Sequence, residues 1–307
     1  MNIVEDYVAV VFAGGRGNRM LSITEHIPKH LLPIINIPLF WFPLNLLQRN
    51  GFRECLLIVP KTKTDSINKL LSDGSLPSLD QLKVTILSFD DEEEGAEEFG
   101  TADVLLQNLD KLKKNVLIVS GDLITDLTLE GMLKFHEKEN SVLTCFLTDS
   151  PLSGAIPGTN ERPKKYRDFV MFSPENNQLL YLIDEDDFGD DEKFPASLFK
   201  SSPHIQSCAK YKDVHLYAIK RDALNALKNS KFSFSSLKAD FISNLIYGQF
   251  SKSKRRSLGF DELQKYKCFA YFSNSNDCSF LAQCNNLGAY FEANKIVGFV
   301  FEYILGI

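Results

Sequence analysis

The sequence predicts an α/β protein with a Rossmann-like architecture, in which a mainly parallel, mixed sheet carries helices on both faces. Two observations support this prediction. Apolar runs typical of buried strands alternate with stretches that favour helix through the first half of the chain. The first such run, residues 7–12, leads directly into a glycine-rich turn, a feature typical of the ligand-binding edge of an open α/β sheet.

Five strands and four helices are predicted in this first half. The strands cover residues 7–12, 54–59, 82–88, 115–120 and 141–147. The helices cover residues 38–50, 64–72, 101–108 and 129–139, the last with Thr128 as its N-cap. Because ligands bind beyond the carboxyl ends of the strands in such sheets, we expect residues 14–19 and 121–122 to face one crevice.

The second half of the chain is less regular. Residues 148–168 hold several prolines and glycines and are predicted to form a loop. A hairpin is predicted from residues 169–172 and 178–182, a strand at 214–219, and helices at 222–227 and 237–247. Neither an internal repeat nor a boundary between two independent domains is visible.

The composition argues against several classes of protein. A net charge of −6 disfavours direct nucleic-acid binding, and no apolar run of about 18 residues suggests a membrane span. The amino terminus carries Glu5 and Asp6 rather than a basic segment, so no signal peptide is predicted. Six cysteines without a Cys-x-x-Cys pair favour reduced, structural thiols, with Cys55 and Cys145 in buried strands, in a cytosolic protein.

The turn after the first strand combines glycines with basic residues, and successive N–H groups in such a turn can hold an anion. It is not a Walker A loop, because no Gly-Lys-Ser/Thr follows at the required spacing. Gly15 and Gly17 fit the dinucleotide-binding fingerprint, but Met20 stands where the third glycine belongs. By itself the turn indicates either an anion site or only a tight connection between strand and helix.

The turn together with the residues that follow it forms a more specific pattern than the glycines alone. The chain reads Gly-Gly-x-Gly-x-Arg at residues 14–19, followed by Pro28-Lys29 and Pro33. This run resembles the signature of nucleotide-sugar pyrophosphorylases, the nucleotidyltransferases that join a sugar phosphate to a nucleotide. Residues 100–102 resemble their base-side segment, and residues 120–122 resemble the strand end that carries a metal-binding aspartate. The resemblance covers roughly residues 7–295 and implies a nucleotidyltransferase fold.

A more specific resemblance lies within this superfamily. Residues 27–33, 41–47, 100–103, 121–126 and 215–217 together resemble the gamma-subunit family of eukaryotic translation initiation factor 2B. This resemblance implies a non-catalytic, cytosolic subunit of a complex that exchanges GDP for GTP on initiation factor 2. It also implies that the partners are the epsilon subunit, the other subunits of the complex, and initiation factor 2 itself.

The resemblance divides the chain into a pyrophosphorylase-like domain, residues 1–295, and an apolar tail, residues 296–307. Full-length relatives continue at that point into a left-handed β-helix, so the chain is expected to stop where that domain begins. A terminal strand or helix of its own is the alternative for the tail.

By resemblance, Arg19 and Lys29 contact phosphates and Asp122 holds a metal ion. The predicted site is a vestigial nucleotide site, without catalytic residues, metal or cofactor, formed by Gly14, Gly15, Gly17, Arg19, Lys29 and Asp122. Two structural alternatives stay open. The glycines can serve only the packing of strand and helix, and Asp122 can cap a turn.

Departures from the pyrophosphorylase pattern argue against the original activity. Asn18 and Ser22 replace a threonine and a proline of the signature. Acidic residues 184–187 stand where a sugar-side lysine is expected, and we expect them to repel phosphates. His215 fills space that a glycine leaves open, and no second metal-binding aspartate is apparent. An active sugar-1-phosphate nucleotidyltransferase is the alternative, and a nucleotide sensor is a third.

Three surface features are also predicted. Residues 90–98 and 184–192 each carry seven carboxylates, and form either solvated loops or a contact for a basic partner. The basic residues 252–256 are expected in a flexible loop. The helix around residues 40–47 holds too many large apolar side chains for one face, so part of it is expected to form an exposed interface, unless the sheet and its neighbours enclose it.

Overall fold

A computed structural model of the chain describes residues 3–14, 17–90, 100–149, 167–184, 187, 194, 196–200, 202–261, 263–273 and 277–305. Gly15, most of the predicted loop at 148–168 and most of both acidic runs therefore lie outside the described residues. The strands are β1 (Tyr7–Phe12), β2 (Pro33–Ile34), β3 (Ile37–Pro38), β4 (Glu54–Pro60), β5 (Lys83–Phe89), β6 (Asn115–Ser120), β7 (Leu123–Thr125), β8 (Leu143–Thr148), β9 (Asp168–Phe172), β10 (Leu179–Asp184), β11 (Gln206–Cys208), β12 (Lys212–Ile219), β13 (Cys268–Phe272) and β14 (Leu281–Gln283).

The α-helices are α1 (Leu21–Thr24), α2 (Trp41–Arg49), α3 (Thr64–Ser72), α4 (Thr101–Gln107), α5 (Glu130–Lys138), α6 (Ala196–Phe199), α7 (Arg221–Asn229), α8 (Ser243–Gly248), α9 (Lys252–Ser257) and α10 (Leu287–Leu305). A π-helical segment, Leu237–Ile242, leads directly into α8. Among the described helices, none combines the length and apolar character needed to cross a bilayer.

Seven of the described strands form one sheet in the order β13-β8-β12-β6-β1-β4-β5. Strand β12 runs antiparallel to both of its neighbours, β6 and β8, and the other neighbouring pairs are parallel. The sheet is therefore mixed and mainly parallel, and the predicted fold class is confirmed. The predicted hairpin is also present, since β9 and β10 pair antiparallel in a smaller sheet with β11.

The core lies on both faces of the large sheet, because successive side chains of a strand point in opposite directions. In β1, Val8 and Val10 pack with α4, α7 and α8, whereas Ala9 and Val11 pack with α2, α3 and α5. The predicted burial of Cys55 and Cys145 is confirmed, and all six cysteines are free thiols. This arrangement leaves the carboxyl ends of β1 and β6 at the edge where the candidate site lies.

The apolar helix α2 is not an exposed interface, so that prediction is wrong. Its large side chains are buried, with Trp41 and Leu44 fully inaccessible. One side of the helix packs on the sheet, and the other packs against β7 and α10. The indole of Trp41 also donates a hydrogen bond to the carbonyl of Pro77 at 3.0 Å. Two core clusters on opposite sides of α2 therefore enclose the apolar surface that one helix face alone would leave exposed.

Two local predictions are also wrong. Thr128 does not cap α5, since its hydroxyl donates to the carbonyl of Asp277 at 3.2 Å and the N-cap is Leu129. The basic run at 252–256 is helix α9, capped by the hydroxyl of Ser251. Arg255 within it is 3% exposed, because its guanidinium donates to the carbonyls that end α8. These hydrogen bonds fix the segment that its charge suggested would be a loop.

The apolar tail continues a helix. Helix α10 begins at Leu287 and runs to Leu305, so it crosses the predicted division at residue 295. Its first turns pack Ala293 and Val297 against the β2–β3 hairpin and β14. That division stays a prediction.

Candidate functional site

A cavity of about 260 Å³ lies at the carboxyl ends of β1 and β6. Side chains and backbone from distant parts of the sequence line it: Phe12, Ala13, Gly14, Arg19, Lys29, His30, Leu39, Phe89, Gly100, Thr101, Val104, Ser120, Gly121, Asp122, His215, Gln283 and Asn285. The structure thus brings Gly14, Arg19, Lys29 and Asp122 together in one wall, as the strand order predicts. Nucleotide binding by these residues stays a prediction.

Glycine is required at two backbone positions beside this cavity. Gly17 has a φ of 72°, in the left-handed region, and a Cβ there would lie 2.7 Å from the methyl group of Thr24. A Cβ on Gly121 would lie 2.3 Å from the carbonyl oxygen of Phe12, where β1 and β6 approach each other. Both glycines are therefore required for packing whether or not a ligand binds. The alternative that the glycine-rich turn serves only the packing of strand and helix remains open.

Lys29 and Asp122 form an ion pair inside the cavity wall. The other carboxylate oxygen of Asp122 accepts a hydrogen bond from the hydroxyl of Ser120 at 2.6 Å. Burial raises the pKa of Asp122, but the charge and hydrogen bond of Lys29 outweigh burial and hold that pKa below its usual range. Asp122 is thus an ionised carboxylate bound by two side chains, and not the cap of a turn.

The wall beyond Asp122 carries amides rather than a second carboxylate. The backbone N–H of Cys284 donates to the carbonyl of Asp122 at 2.9 Å, which places Gln283 and Asn285 at the cavity. Among the described lining residues, Asp122 supplies the one carboxylate. No cluster of three or more His, Cys, Asp or Glu side chains suited to a metal ion occurs in the described part of the chain.

His215 occupies the wall contributed by β12. Its φ of 55° is a conformation that glycine adopts readily, and its backbone N–H donates to the Asp213 carboxylate at 2.8 Å. The imidazole lies in the cavity wall and stacks on Tyr217, with the ring centroids 6.2 Å apart. Burial lowers the pKa of His215, so the ring is neutral near pH 7.

His30 is a second imidazole in the wall, and sequence reasoning did not single it out. It is 5% exposed, and neither ring nitrogen has a hydrogen-bond partner among the described residues. Burial, with a smaller effect from the charge of Lys63, lowers the pKa of His30 to about 4. The cavity therefore holds two neutral imidazoles beside the charged residues.

Behind His215 lies a buried ion cluster that the sequence did not reveal. Lys238 contacts Asp168 at 2.6 Å, Asp184 at 2.7 Å and Asp213 at 3.8 Å. Lys212 contacts Asp168 and Asp184, each at 3.3 Å. Tyr217 also donates a hydrogen bond to Asp213 at 2.5 Å. Residues far apart in the sequence thus fix the bulged part of β12 that carries His215.

The cluster corrects one expectation about the acidic segment 184–187. Asp184 does not line the cavity, and its carboxylate is neutralised by Lys212 and Lys238. The charge and hydrogen bond of Lys238, with the charge of Lys212, lower the pKa of Asp184 despite its burial. The expected repulsion of phosphates by Asp184 is therefore wrong. Asp187 lines a different cavity, and residues 185 and 186 lie outside the described part.

Sequence comparison relates the chain to proteins with a nucleotidyl transferase domain. The nucleotidyl transferase family matches residues 8–153. Translation initiation factor eIF2B subunit gamma of Caenorhabditis elegans is 32% identical over 94% of this chain and 67% of its own length. The Schizosaccharomyces pombe protein of the same name is 27% identical over 95% of this chain and 65% of its own length.

A sugar-nucleotide enzyme matches a smaller part of the chain. Glucose-1-phosphate adenylyltransferase 2 of Vibrio parahaemolyticus is 31% identical over 50% of this chain. The two gamma subunits match nearly the whole chain, which spans about two thirds of their length. By its fold, its cavity and this similarity, the chain belongs to the gamma-subunit family of translation initiation factor 2B.

Proposed function

We propose that this chain is a non-catalytic subunit of the initiation factor 2B complex, which exchanges GDP for GTP on initiation factor 2. The observation that carries the non-catalytic part is the ion pair between Lys29 and Asp122. Transfer of a nucleotidyl group requires positive charge on the phosphates and a carboxylate free to hold Mg²⁺. Here the cation and the carboxylate that would divide those tasks neutralise each other.

Arg19 is a second cation in the described wall, but no second carboxylate lines it to replace Asp122. Gln283 and Asn285 are neutral amides, which bind a divalent cation more weakly than carboxylates do. His215 projects from a backbone position that favours glycine and takes up part of the cavity. We therefore regard the cavity as a vestigial nucleotide site, with Gly14, Gly15, Gly17, Arg19, Lys29 and Asp122 as its candidate residues.

The finer parts of the proposal follow from the family. The epsilon subunit, the other subunits of the complex and initiation factor 2 are the proposed partners, and the cytosol is the proposed location. Residues 1–295 form the proposed pyrophosphorylase-like domain. Residues 296–305 continue α10, and further domains of the complex would supply the exchange chemistry.

An assay of pyrophosphate release tests the absence of catalysis. The purified chain is given Mg²⁺, each nucleoside triphosphate and a panel of sugar 1-phosphates. We expect no release above the background measured with Asp122→Ala. Steady release by the wild-type chain that Asp122→Ala abolishes would refute the non-catalytic assignment and support the alternative, an active sugar-1-phosphate nucleotidyltransferase.

Co-expression of this chain with the epsilon-like subunit of its native cells tests whether the two chains form a complex. We expect the two chains to elute together and to sediment as one complex. A monodisperse monomer that does not retain the epsilon-like subunit would refute the assignment as a complex subunit, whatever the outcome of the activity assay.

A further inference from the structure

A second cavity, of about 190 Å³, lies between the strand β10 and the helical segment Leu237–Gly248. Its floor is apolar, with Leu180, Leu182 and Ile246 each 3% exposed or less. This cavity lies apart from the one at the ends of β1 and β6, since no residue lines both. We call it the β10 groove.

Two tyrosines line the β10 groove from its two sides. Tyr181 lies on β10, where edge contacts with Phe169 and Phe194, at centroid distances of 6.2 and 5.1 Å, hold its ring. Tyr247 lies on α8 and is 39% exposed. Its ring already attracts a cation, since the ammonium of Lys254 lies 5.9 Å from the ring centroid. Aromatic faces bind planar, weakly hydrated cations favourably.

Asp184 and Lys238 neutralise each other in the β10 groove, so the remaining charge among its described lining residues is the carboxylate of Asp187. Asp184 and Asp187 line the groove together with Lys238, whose ammonium is already surrounded by three carboxylates. Asp187 is exposed and has no hydrogen-bond or ion-pair partner among the described residues. A carboxylate with no partner among the described residues, in the same groove as the exposed ring of Tyr247 and the half-buried ring of Tyr181, favours a cationic occupant. Lys254, the nearby opposing charge, packs on Phe232, with its ammonium 4.0 Å from that ring.

We propose that the β10 groove is a docking site for an arginine side chain of a protein partner. The apolar floor accommodates the aliphatic stem of arginine, and Tyr181 and Tyr247 flank its guanidinium. Asp187 accepts hydrogen bonds from the guanidinium, which presents parallel N–H donors to a carboxylate. Lysine fits this combination less well, because its ammonium is compact, strongly hydrated and cannot stack. The proposal does not depend on whether the first cavity binds nucleotide.

The test uses the full chain and a tripeptide amide with arginine between two leucines. The tyrosine rings are labelled with ¹³C, and Tyr181→Phe and Tyr247→Phe assign their signals. We expect saturable shifts of both rings with the arginine peptide, and much weaker binding of peptides with citrulline or lysine at the same position. Citrulline keeps the shape of arginine and removes its charge, so it isolates the electrostatic contribution.

Two variants and one control locate the site. We expect Asp187→Asn and Tyr247→Leu each to lower the affinity for the arginine peptide by about threefold to tenfold. Asp110→Asn removes the same charge from an exposed turn elsewhere and should leave the affinity unchanged. Because Asp187 and Tyr247 are exposed, both variants should keep the wild-type melting temperature.

Three results would overturn the proposal. The first is the absence of saturable shifts at Tyr181 and Tyr247. The second is equal affinity for the arginine and citrulline peptides, which would make the groove a purely apolar contact. The third is equal affinity for arginine and lysine, which would show a general cation surface rather than an arginine site.

Discussion

Lys29 and Asp122 are 93 positions apart in the sequence and form an ion pair across the candidate site. Their side chains are 16% and 9% exposed, so water screens the pair only weakly. Ser120 supports the carboxylate from the other side. Each charge therefore depends on the other in the folded chain, and the pair occupies the charges that a nucleotide and its metal would use.

Asp122→Asn should lower the free energy of unfolding by about 2–4 kcal/mol, because it leaves the Lys29 ammonium buried without a counter-charge. Urea unfolding at pH 7 measures the loss. The double variant Lys29→Met with Asp122→Asn should recover most of it, since both charges are then absent.

The matched control for this pair is an exposed one. Lys61 and Asp90 lie 2.9 Å apart, with side chains 63% and 62% exposed. Asp90→Asn should change the stability by less than about 0.5 kcal/mol. If Asp122→Asn costs no more than Asp90→Asn, the Lys29–Asp122 pair does not contribute to stability in solution.

The fold could be predicted from the sequence because its strands are buried on both faces and appear as continuous apolar runs. The predicted strands at 7–12 and 115–120 agree with β1 and β6 at both ends. The predicted boundary shifted at β8, which begins at Leu143 rather than at Ser141, whose hydroxyl donates a hydrogen bond to the carbonyl of Leu143. The antiparallel direction of β12 depends on the path of the chain outside the strand, which local pattern does not encode.

The site could be predicted where its residues follow recognisable strands, as Gly14 and Asp122 do, or belong to the glycine-rich signature, as Arg19 and Lys29 do. Gly14 and Asp122 come directly after β1 and β6, so the strand order places them together. Asn285 follows β14, a three-residue strand whose pattern is too short to recognise. Lys238 lies in the π-helical segment, and its partners Asp168, Asp184 and Asp213 lie on β9, β10 and β12, so tertiary packing and not local sequence brings them together. A signal for α10 was available in Asn286, whose side chain accepts from the N–H of Ala289 at 2.9 Å.

Gly121→Ala should destabilise the chain, because the new Cβ would lie 2.3 Å from the backbone carbonyl of Phe12 and neither strand end can yield easily. We expect a loss of about 1–3 kcal/mol, measured by urea unfolding. Gly298→Ala is the control, since its Cβ would meet its nearest neighbour, Ile35, at an ordinary 3.8 Å within a helix. That variant should be neutral or slightly stabilising, and a larger loss there than at Gly121 would contradict the packing argument.

Lys238→Met should be among the most destabilising substitutions in the chain. It leaves the carboxylates of Asp168, Asp184 and Asp213 close together, with Lys212 as the remaining recorded cation of the cluster. We expect Lys238→Met to lower the free energy of unfolding by about 3–5 kcal/mol. Thermal unfolding followed by circular dichroism measures it, with Lys228→Met on the exposed face of α7 as the control. Equal melting temperatures for the two variants would show that Lys238 does not hold the cluster together.

Buried neutral histidines should make the chain sensitive to mild acid. Burial lowers the pKa of His136 to about 3 and that of His30 to about 4, whereas both titrate near 6.5 in the unfolded chain. Above pH 6.5 neither state binds these protons. As the pH falls below 6.5, the unfolded state binds these protons while the folded state does not. The free energy of unfolding therefore decreases as the pH falls from 6.5 to the pKa values of the folded chain.

His136→Phe should reduce this acid sensitivity. His136 is fully buried, and its Nδ1 pairs with the hydroxyl of Thr144 at 2.8 Å while its Nε2 has no described partner. As the pH falls from 6.5 to 5, the His136 imidazole should lower the free energy of unfolding of the wild-type chain by about 1–2 kcal/mol. The variant has no imidazole at this position and cannot show that loss. Urea unfolding at pH 7 and pH 5 measures the difference, and His204→Gln at an exposed position should keep the wild-type loss. An unchanged pH dependence in His136→Phe would mean that other groups, and not this imidazole, bind the protons that drive acid unfolding.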